Sequence, residues 1–209
     1  LTTLFRSKYP LKAEDHSEFW EDIYIADDTG WDLSGPTPVF QQLSSDLIIG
    51  DLCIIGCGRG YDAIMFAKKG FSVTAVDFAP SAILALKKMA SESKVEVNTL
   101  ELDIFSLMPK YQHSFDYVIE QTCFCAIHPS RRKEYEIMVK GILKQNGKLV
   151  GLWFPLDKNI NEGGPPYGTS INEVKSVFNK GWKVVTEEFS KHSISPRKDR
   201  EKLIIFQKQ

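Results

Sequence analysis

The stretch that decides the fold runs Asp51-Leu52-Cys53-Ile54-Ile55-Gly56-Cys57-Gly58-Arg59-Gly60-Tyr61-Asp62 and is followed, after a helix-patterned segment, by Val73-Thr74-Ala75-Val76-Asp77. An apolar run stops at three glycines spaced G-x-G-x-G, and a second apolar run ends in an acid. Glycines at a strand-to-helix turn let backbone approach a ligand, because no Cβ stands in the way. An acid closing the next strand can accept hydrogen bonds from a ribose diol. Asp77 lies 21 positions after Gly56, and the pair points to a site for an adenosine-containing cofactor. A dinucleotide fingerprint is spaced G-x-G-x-x-G. Here its third glycine position holds Tyr61, and the last glycine, Gly60, comes one residue early. The following helix also lacks the glycine that dinucleotide folds pack against their sheet. The spacing therefore favours S-adenosylmethionine (SAM), which has no pyrophosphate, over a nicotinamide cofactor.

From Asp51 onward, strand and helix patterns alternate. Strands are expected at 51–56, 72–77, 95–102, 115–120, 147–154, 182–189 and 201–208, with helices at about 61–69, 79–92, 130–144 and 170–179. Such alternation predicts a mainly parallel α/β sheet covered on both faces. The last two strands lack a helix between them and are expected to pair antiparallel. This order matches the class I methyltransferase fold, a Rossmann-like sheet ordered 3-2-1-4-5-7-6 with strand 7 antiparallel. Ligands in such sheets bind beyond the carboxyl ends of the strands, at the switch between strands 1 and 4. Residues 18–24 read as a helix that puts Trp20 and Tyr24 on one face, and 39–47 as a second short helix. The expectation is one domain over 1–209, with 1–48 as lid and cap and 49–209 as the core. The segment His192–Lys198 reads as a polar, exposed linker.

Composition narrows the function. The 209 residues include 43% hydrophobic and 25% charged, and the net charge is −1, which is ordinary for a globular protein and argues against a broad nucleic-acid surface. No apolar run approaches a membrane span. The four cysteines, at 53, 57, 123 and 125, form no C-x-x-C, and only four histidines are scattered along the chain. No metal site is expected, and reduced thiols in a cytoplasmic protein, without a signal-peptide pattern, are the expected state. A monomer that acts on a small molecule, with neither nucleic-acid nor membrane partner, is the expected form.

Five motifs extend the reading: the aromatics Trp20, Tyr24 and Trp31; the turn Ile55–Asp62; Cys123-Phe124-Cys125-Ala126-Ile127-His128-Pro129 after the fourth strand; Glu162-Gly163-Gly164-Pro165-Pro166-Tyr167 after the fifth; and Arg197-Lys198-Asp199-Arg200-Glu201-Lys202-Leu203 near the end. Together they resemble the thiopurine S-methyltransferase superfamily, and within it the plant-type thiol, thiocyanate and halide methyltransferases. The resemblance spans nearly the whole chain. It implies that Trp20, Tyr24 and Trp31 form a lid over SAM, where aromatic faces attract a sulfonium and a closed lid excludes water. It implies that Gly56 and Gly58 pass close to the cofactor, that Asp77 with neighbouring Phe78 holds the ribose side, and that Asp103 and Ile104 border the adenine. Gln121 stands where relatives carry Tyr or Arg, and is placed with the cofactor. Tyr167 is implied to orient the acceptor.

Methyl transfer from a sulfonium is an in-line displacement. A thiolate, hydrosulfide, thiocyanate or halide is already nucleophilic, so the protein need only align it and strip its solvent. That suits a chain with no evident catalytic dyad. Glu120 and the pair Cys123 and Cys125 read as structural, and His128-Pro129 as a loop-to-helix junction. The leading expectation is a SAM-dependent methyltransferase for a small thiol or soft anion, including a thiopurine-like acceptor. An O- or N-methyltransferase would need a group to take the acceptor proton. A non-catalytic SAM-binding regulatory module would have little use for a water-excluding lid.

Overall fold

The structure, a computed structural model, describes residues 13–209. Seven strands form one sheet: β1 (Asp51–Ile55), β2 (Ser72–Asp77), β3 (Asn98–Glu101), β4 (Phe115–Gln121), β5 (Leu143–Trp153), β6 (Trp182–Glu188) and β7 (Lys202–Lys208). Their order is β3-β2-β1-β4-β5-β7-β6. β7 runs antiparallel to both neighbours, and the other pairs are parallel. The class I arrangement expected from the sequence is therefore present.

Both faces of the sheet are covered, which is why β1, β2 and β4 read as continuous apolar runs rather than alternating ones. On one face, α2 (Pro38–Leu43), α3 (Tyr61–Lys68) and α4 (Pro80–Ser93) bury Phe40, Phe66 and Leu86 against Leu52, Ala75 and Ile119. On the other, α5 (Arg132–Ile142) and α6 (Ile171–Val177) bury Tyr135, Met138 and Val174 with Trp153, Phe178 and Phe206. α4 starts on Pro80, whose missing N–H costs nothing in a first turn, and ends at Lys94 in the left-handed region (φ 53°). Ser170 caps α6 by accepting the Glu173 amide at 3.1 Å.

Besides shifts at helix ends, among them α2, which stops at Leu43 rather than 47, three features differ from the sequence reading. β3 is shorter than 95–102, because Val95 and Val97 pack on the core beneath this edge strand instead of pairing along it. β5 begins at Leu143, directly after α5. Its pairing with β4 jumps from Phe115↔Leu143 to Tyr117↔Lys148, a bulge that contains Asn146 at φ 64°. The third difference is the segment expected to be an exposed linker. Ser195–Arg197 forms a 3-10 turn, and Arg197 is buried there at 6% exposure.

Residues ahead of the core are fastened over the carboxyl ends of β1 and β2. Glu21, in α1 (Ser17–Ile25), accepts the Ser81 amide (2.9 Å) and hydroxyl (2.6 Å) at the start of α4. Thr37 donates its amide (2.7 Å) and hydroxyl (2.8 Å) to Asp62, in the first turn of α3. Arg59, in the glycine turn, pairs with Asp27 (2.6 Å) and Asp32 (3.2 Å).

Candidate active site

The sheet topology opens a cleft where the chain reverses direction between β1 and β4. A cavity of about 770 Å³ fills it, within the range of small-molecule sites. Gly56, the first residue of the glycine turn, lies on its floor. Gly56 and Gly58 have φ of 59° and 55°, a backbone that side chains other than glycine rarely adopt. A Cβ on Gly56 would lie 3.0 Å from the Cβ and Sγ of Cys123, and one on Gly58 would lie 3.1 Å from the Tyr24 hydroxyl. Glycine is thus what lets Tyr24 and the loop after β4 pack closely on the turn.

Asp77 ends β2 at this floor. Its Oδ2 accepts the Gly58 amide at 2.9 Å, and its Oδ1 accepts the Ala79 amide at 3.0 Å. A carboxylate offers about four acceptor sites, so capacity remains for a ribose diol. Burial raises the Asp77 pKa, and the backbone N–H groups oppose that rise. Asp103 is similar: its side chain accepts the Phe105 amide at 3.0 Å while burial pushes its pKa up.

Trp20, Tyr24 and Trp31 form one aromatic cluster. Trp31 meets Trp20 (5.5 Å between ring centroids) and Tyr24 (5.7 Å), both edge to face. The Trp20 indole donates to the Glu14 carbonyl at 2.8 Å, and the Arg59 guanidinium lies 5.9 Å above the Tyr24 ring.

Trp20, Tyr24, Trp31, Gly56, Asp77, Phe78, Asp103 and Ile104 all line the main cavity. Gly58 and Gln121 instead line a smaller hollow of about 50 Å³ beside the turn, which shares Trp31 and Gly56 with the main one. The Gln121 amide nitrogen is buried there without a partner. Tyr167 lies on neither wall. It is buried, its hydroxyl bonds the Glu14 carboxylate, its amide donates to the Cys125 carbonyl at 2.7 Å, and its ring meets His128 at 5.3 Å. The preceding Gly164, Pro165 and Pro166 form the wall instead.

Glu120 is structural, as expected. Its Oε1 accepts the Cys123 (3.1 Å) and Phe124 (3.0 Å) amides and its Oε2 bonds the Tyr135 hydroxyl, so it shapes the wall from behind. Full burial pushes its pKa up to about 7. Cys123 and Cys125 are buried wall residues whose thiols burial pushes up, to about 12 for Cys125, so neither is a ready nucleophile.

Several wall residues went unassigned in the sequence reading: Glu14, Asp15, Arg131, Phe154, Arg197 and Arg200. Arg131 pairs with Asp15 and with Glu134, and lies 3.9 Å over the Phe105 ring. Arg200 pairs with Asp157 at 2.6 Å. Among the described residues, no group of histidine, cysteine and acidic side chains could hold a metal ion, and no helix is long and apolar enough to cross a membrane.

Comparison with known proteins decides the family. The thiopurine S-methyltransferase profile matches residues 15–208. The chain belongs to that family. It is 32% identical over 198 residues to a probable thiol methyltransferase 2 of Arabidopsis thaliana, covering 92% of this chain and 86% of that protein. It is 31% identical over 189 residues to thiocyanate methyltransferase 1 of the same plant, covering 88% and 82%. Among solved structures, a Burkholderia thailandensis 1,6-didemethyltoxoflavin-N1-methyltransferase with bound S-adenosylhomocysteine superposes with a TM-score of 0.71 at 17% identity, covering 99% of this chain and 98% of that one. The chain is a SAM-dependent methyltransferase. The features that fit its cofactor are the glycine cradle that a Cβ would fill, the spare acceptor capacity of Asp77, the orphaned Gln121 amide nitrogen and the aromatic cluster of Trp20, Tyr24 and Trp31.

Proposed function

We infer that the enzyme methylates a small thiol or soft anion. The observation that carries this reading is the division of charge in the cavity. The wall from β1, β2 and the loop after β3 carries Asp77 and Asp103, with Arg131 nearby neutralised by Asp15 and Glu134, whereas the wall from β5 and the loop before β7 carries Arg197 and Arg200, the latter paired with Asp157. An acidic side suits a cationic, hydroxyl-bearing cofactor, and a basic side suits an anionic acceptor. No histidine lines the cavity among the described residues. Of the wall carboxylates, Glu14 is engaged by Tyr167, Asp15 by Arg131, and Asp77 and Asp103 by backbone amides, while Asp28 is exposed to solvent. That arrangement suits an acceptor that arrives ionised.

When bound, SAM supplies an electrophilic methyl group carried on a sulfonium sulfur. The residues placed to hold it are Trp20, Tyr24, Trp31, Gly56, Gly58, Asp77, Phe78, Asp103, Ile104 and Gln121. The lid aromatics face positive charge and exclude water, Asp77 accepts from the ribose hydroxyls, and Asp103 with Ile104 borders the adenine. Tyr167 acts through Glu14, which it holds on the wall. The chain is read as one methyltransferase domain with residues 1–48 as lid and cap, of which residues 1–12 lie outside the described residues.

The test is a SAM-dependent headspace assay with hydrosulfide, a small thiol, thiocyanate and iodide, and a thiopurine, a catechol and an amine in parallel. Methyl products from the sulfur or halide acceptors are expected to dominate. A faster catechol or amine would make the enzyme an O- or N-methyltransferase, and SAM binding without any product would make it a binding module.

A further inference from the structure

The two edges of the sheet are built differently. β3, at one edge, has four residues, and Val95 and Val97 ahead of it pack on the core. β6, at the other, has seven residues and no strand on its outer side. Val184 and Val185 are 38% and 40% exposed, and Phe189, just past the strand, is 53% exposed. A long apolar edge is a template for another strand, which proteins ordinarily blunt. Pairing with β7 fixes the face that each β6 side chain takes. Trp182, Val184 and Glu187 lie opposite Lys208, Phe206 and Ile204, on the face covered by α5 and α6. Lys183, Thr186 and Glu188 lie opposite Gln207, Ile205 and Leu203, on the other face. Val185 is the extra residue of a bulge between Val184 and Thr186. That bulge brings Lys183 and Glu188 to one face, whereas in a regular strand their odd separation would put them on opposite faces. Neither makes a salt bridge among the described residues, while Glu187 is held by Lys175 and Lys202.

We propose that β6 is a self-complementary edge: a second copy of this chain pairs with it antiparallel, about a two-fold axis normal to the sheet at Thr186, and the sheet continues across both molecules. In such a contact the same patch serves both sides, so residue i meets j and j meets i. With the bulged pair counted as one step, Thr186 meets Thr186 of the second copy, Lys183 meets its Glu188, and Trp182 meets its Phe189. Thr–Thr, opposite-charge and aromatic pairs are each favourable across an antiparallel ladder. The Lys202 ammonium lies 4.8 Å from the centre of the Phe189 ring and holds it on the face that Trp182 shares. Glu187, already neutralised, falls beside Val184 of the second copy without bringing an unpaired charge. A bulge ordinarily turns an edge away from other chains; here a matching bulge in the second copy restores the register. A contact through one strand is at the small end of specific interfaces, so the dimer is weak and concentration-dependent. The sequence reading expects a monomer; the edge position of β6 and its bulge emerge only in the fold. No β6 residue lines the cavity, so each copy keeps its own active site.

The test is charge exchange across the pairing. Sedimentation velocity of wild type, over a concentration series from micromolar to submillimolar, should show a monomer–dimer equilibrium. Lys183→Glu sets like charges opposite each other at both ends of the contact, and so does Glu188→Lys; each alone should raise the dimer Kd tenfold or more. Mixed in equal amounts, the two variants should form a heterodimer, because every charge pair is then opposite again. The double variant Lys183→Glu, Glu188→Lys, whose net charge equals that of wild type, should dimerise as wild type does. Both positions are exposed, and circular dichroism with an unchanged S-adenosylhomocysteine affinity checks the fold of each variant. Wild type that stays monomeric throughout would overturn a second copy as the occupant of this edge. A dimer indifferent to either charge reversal, or variants that do not recombine on mixing, would place the contact elsewhere and overturn the pairing. None of these outcomes bears on the soft-anion reading.

Discussion

Replacing Asp77 by asparagine separates two jobs that the structure gives one carboxylate. In the folded protein its oxygens accept the Gly58 and Ala79 amides, which ties the glycine turn to the end of β2. Alanine would orphan both amides, at about 1–3 kcal/mol each, and would confuse a folding defect with a binding defect. Asparagine keeps one acceptor oxygen but turns an NH₂ toward the other amide, so the expected loss is about 1–3 kcal/mol. The lower half applies, because burial already disfavours the ionised form and removing the charge returns part of that cost. For a domain of this size, that is a fall in Tm of roughly 2–8 °C. The binding loss is larger in proportion. A carboxylate hydrogen bond to a neutral hydroxyl is worth about 1.5–3 kcal/mol, and losing one such bond weakens Kd by roughly 10- to 150-fold. Calorimetric titration with SAM and S-adenosylhomocysteine, beside thermal melts, reads both numbers. An unchanged Kd in the folded variant would remove Asp77 from the cofactor site, and an unchanged Tm would refute its structural tie.

Glu120 gives the protein a pH-dependent stability. Its carboxyl, ordinarily near 4.5, titrates near 7 when folded, so between those values the folded state holds a proton that the unfolded state lacks. Stability is therefore greatest below this window and falls by about 3 kcal/mol as pH rises through it, with Asp62, raised to about 6 by burial, adding in the same direction. Melts from pH 4.5 to 8 should show the fall in wild type and a shallower one in Glu120→Gln; equal slopes would refute the assignment. Gly60→Ala would put a Cβ 2.2 Å from Leu86 Cδ1 at a φ of 86°, and overpacking of about 1–3 kcal/mol plus about 1–2 kcal/mol of left-handed strain should show as a large loss in urea unfolding. Tyr167→Phe frees Glu14 on the cavity wall and is expected to lower kcat more than SAM affinity; the reverse split would place Tyr167 with the cofactor instead.

The glycine turn and Asp77 were legible because both are local: an apolar run, glycines where positive φ is required, and an acid closing the next strand. The mainly parallel sheet followed from alternating patterns and its strand order from the likeness to the class I methyltransferase fold; helical spacing put Trp20 and Tyr24 on one face, and the resemblance alone marked them, with Trp31, as a lid. Arg197 was not legible. In sequence it sits between Pro196 and Lys198 in a polar run that reads as solvated, and only the tertiary approach of Trp31 and Phe154 buries it. Glu14, Asp15 and Arg131 were hidden for the same reason, since the first two meet partners more than a hundred residues away. The resemblance had marked the Arg197–Leu203 run, and that was the one signal pointing at the basic wall. Tyr167 shows the converse: a motif fixes a residue near the site, but only packing shows that its hydroxyl is spent on Glu14.

The central claim is that the acceptor arrives ionised and the protein supplies no base. The direct measurement is kcat/KM against pH for acceptors of different pKa, at saturating SAM. Thiocyanate, an anion throughout, should give a nearly flat profile between about pH 7.5 and 9, whereas a simple thiol should rise toward its own pKa of about 8.5, and a more acidic thiol should level off correspondingly earlier. A single ionisation shared by every acceptor, thiocyanate included, would mean that a protein group titrates in the reaction and would contradict the account.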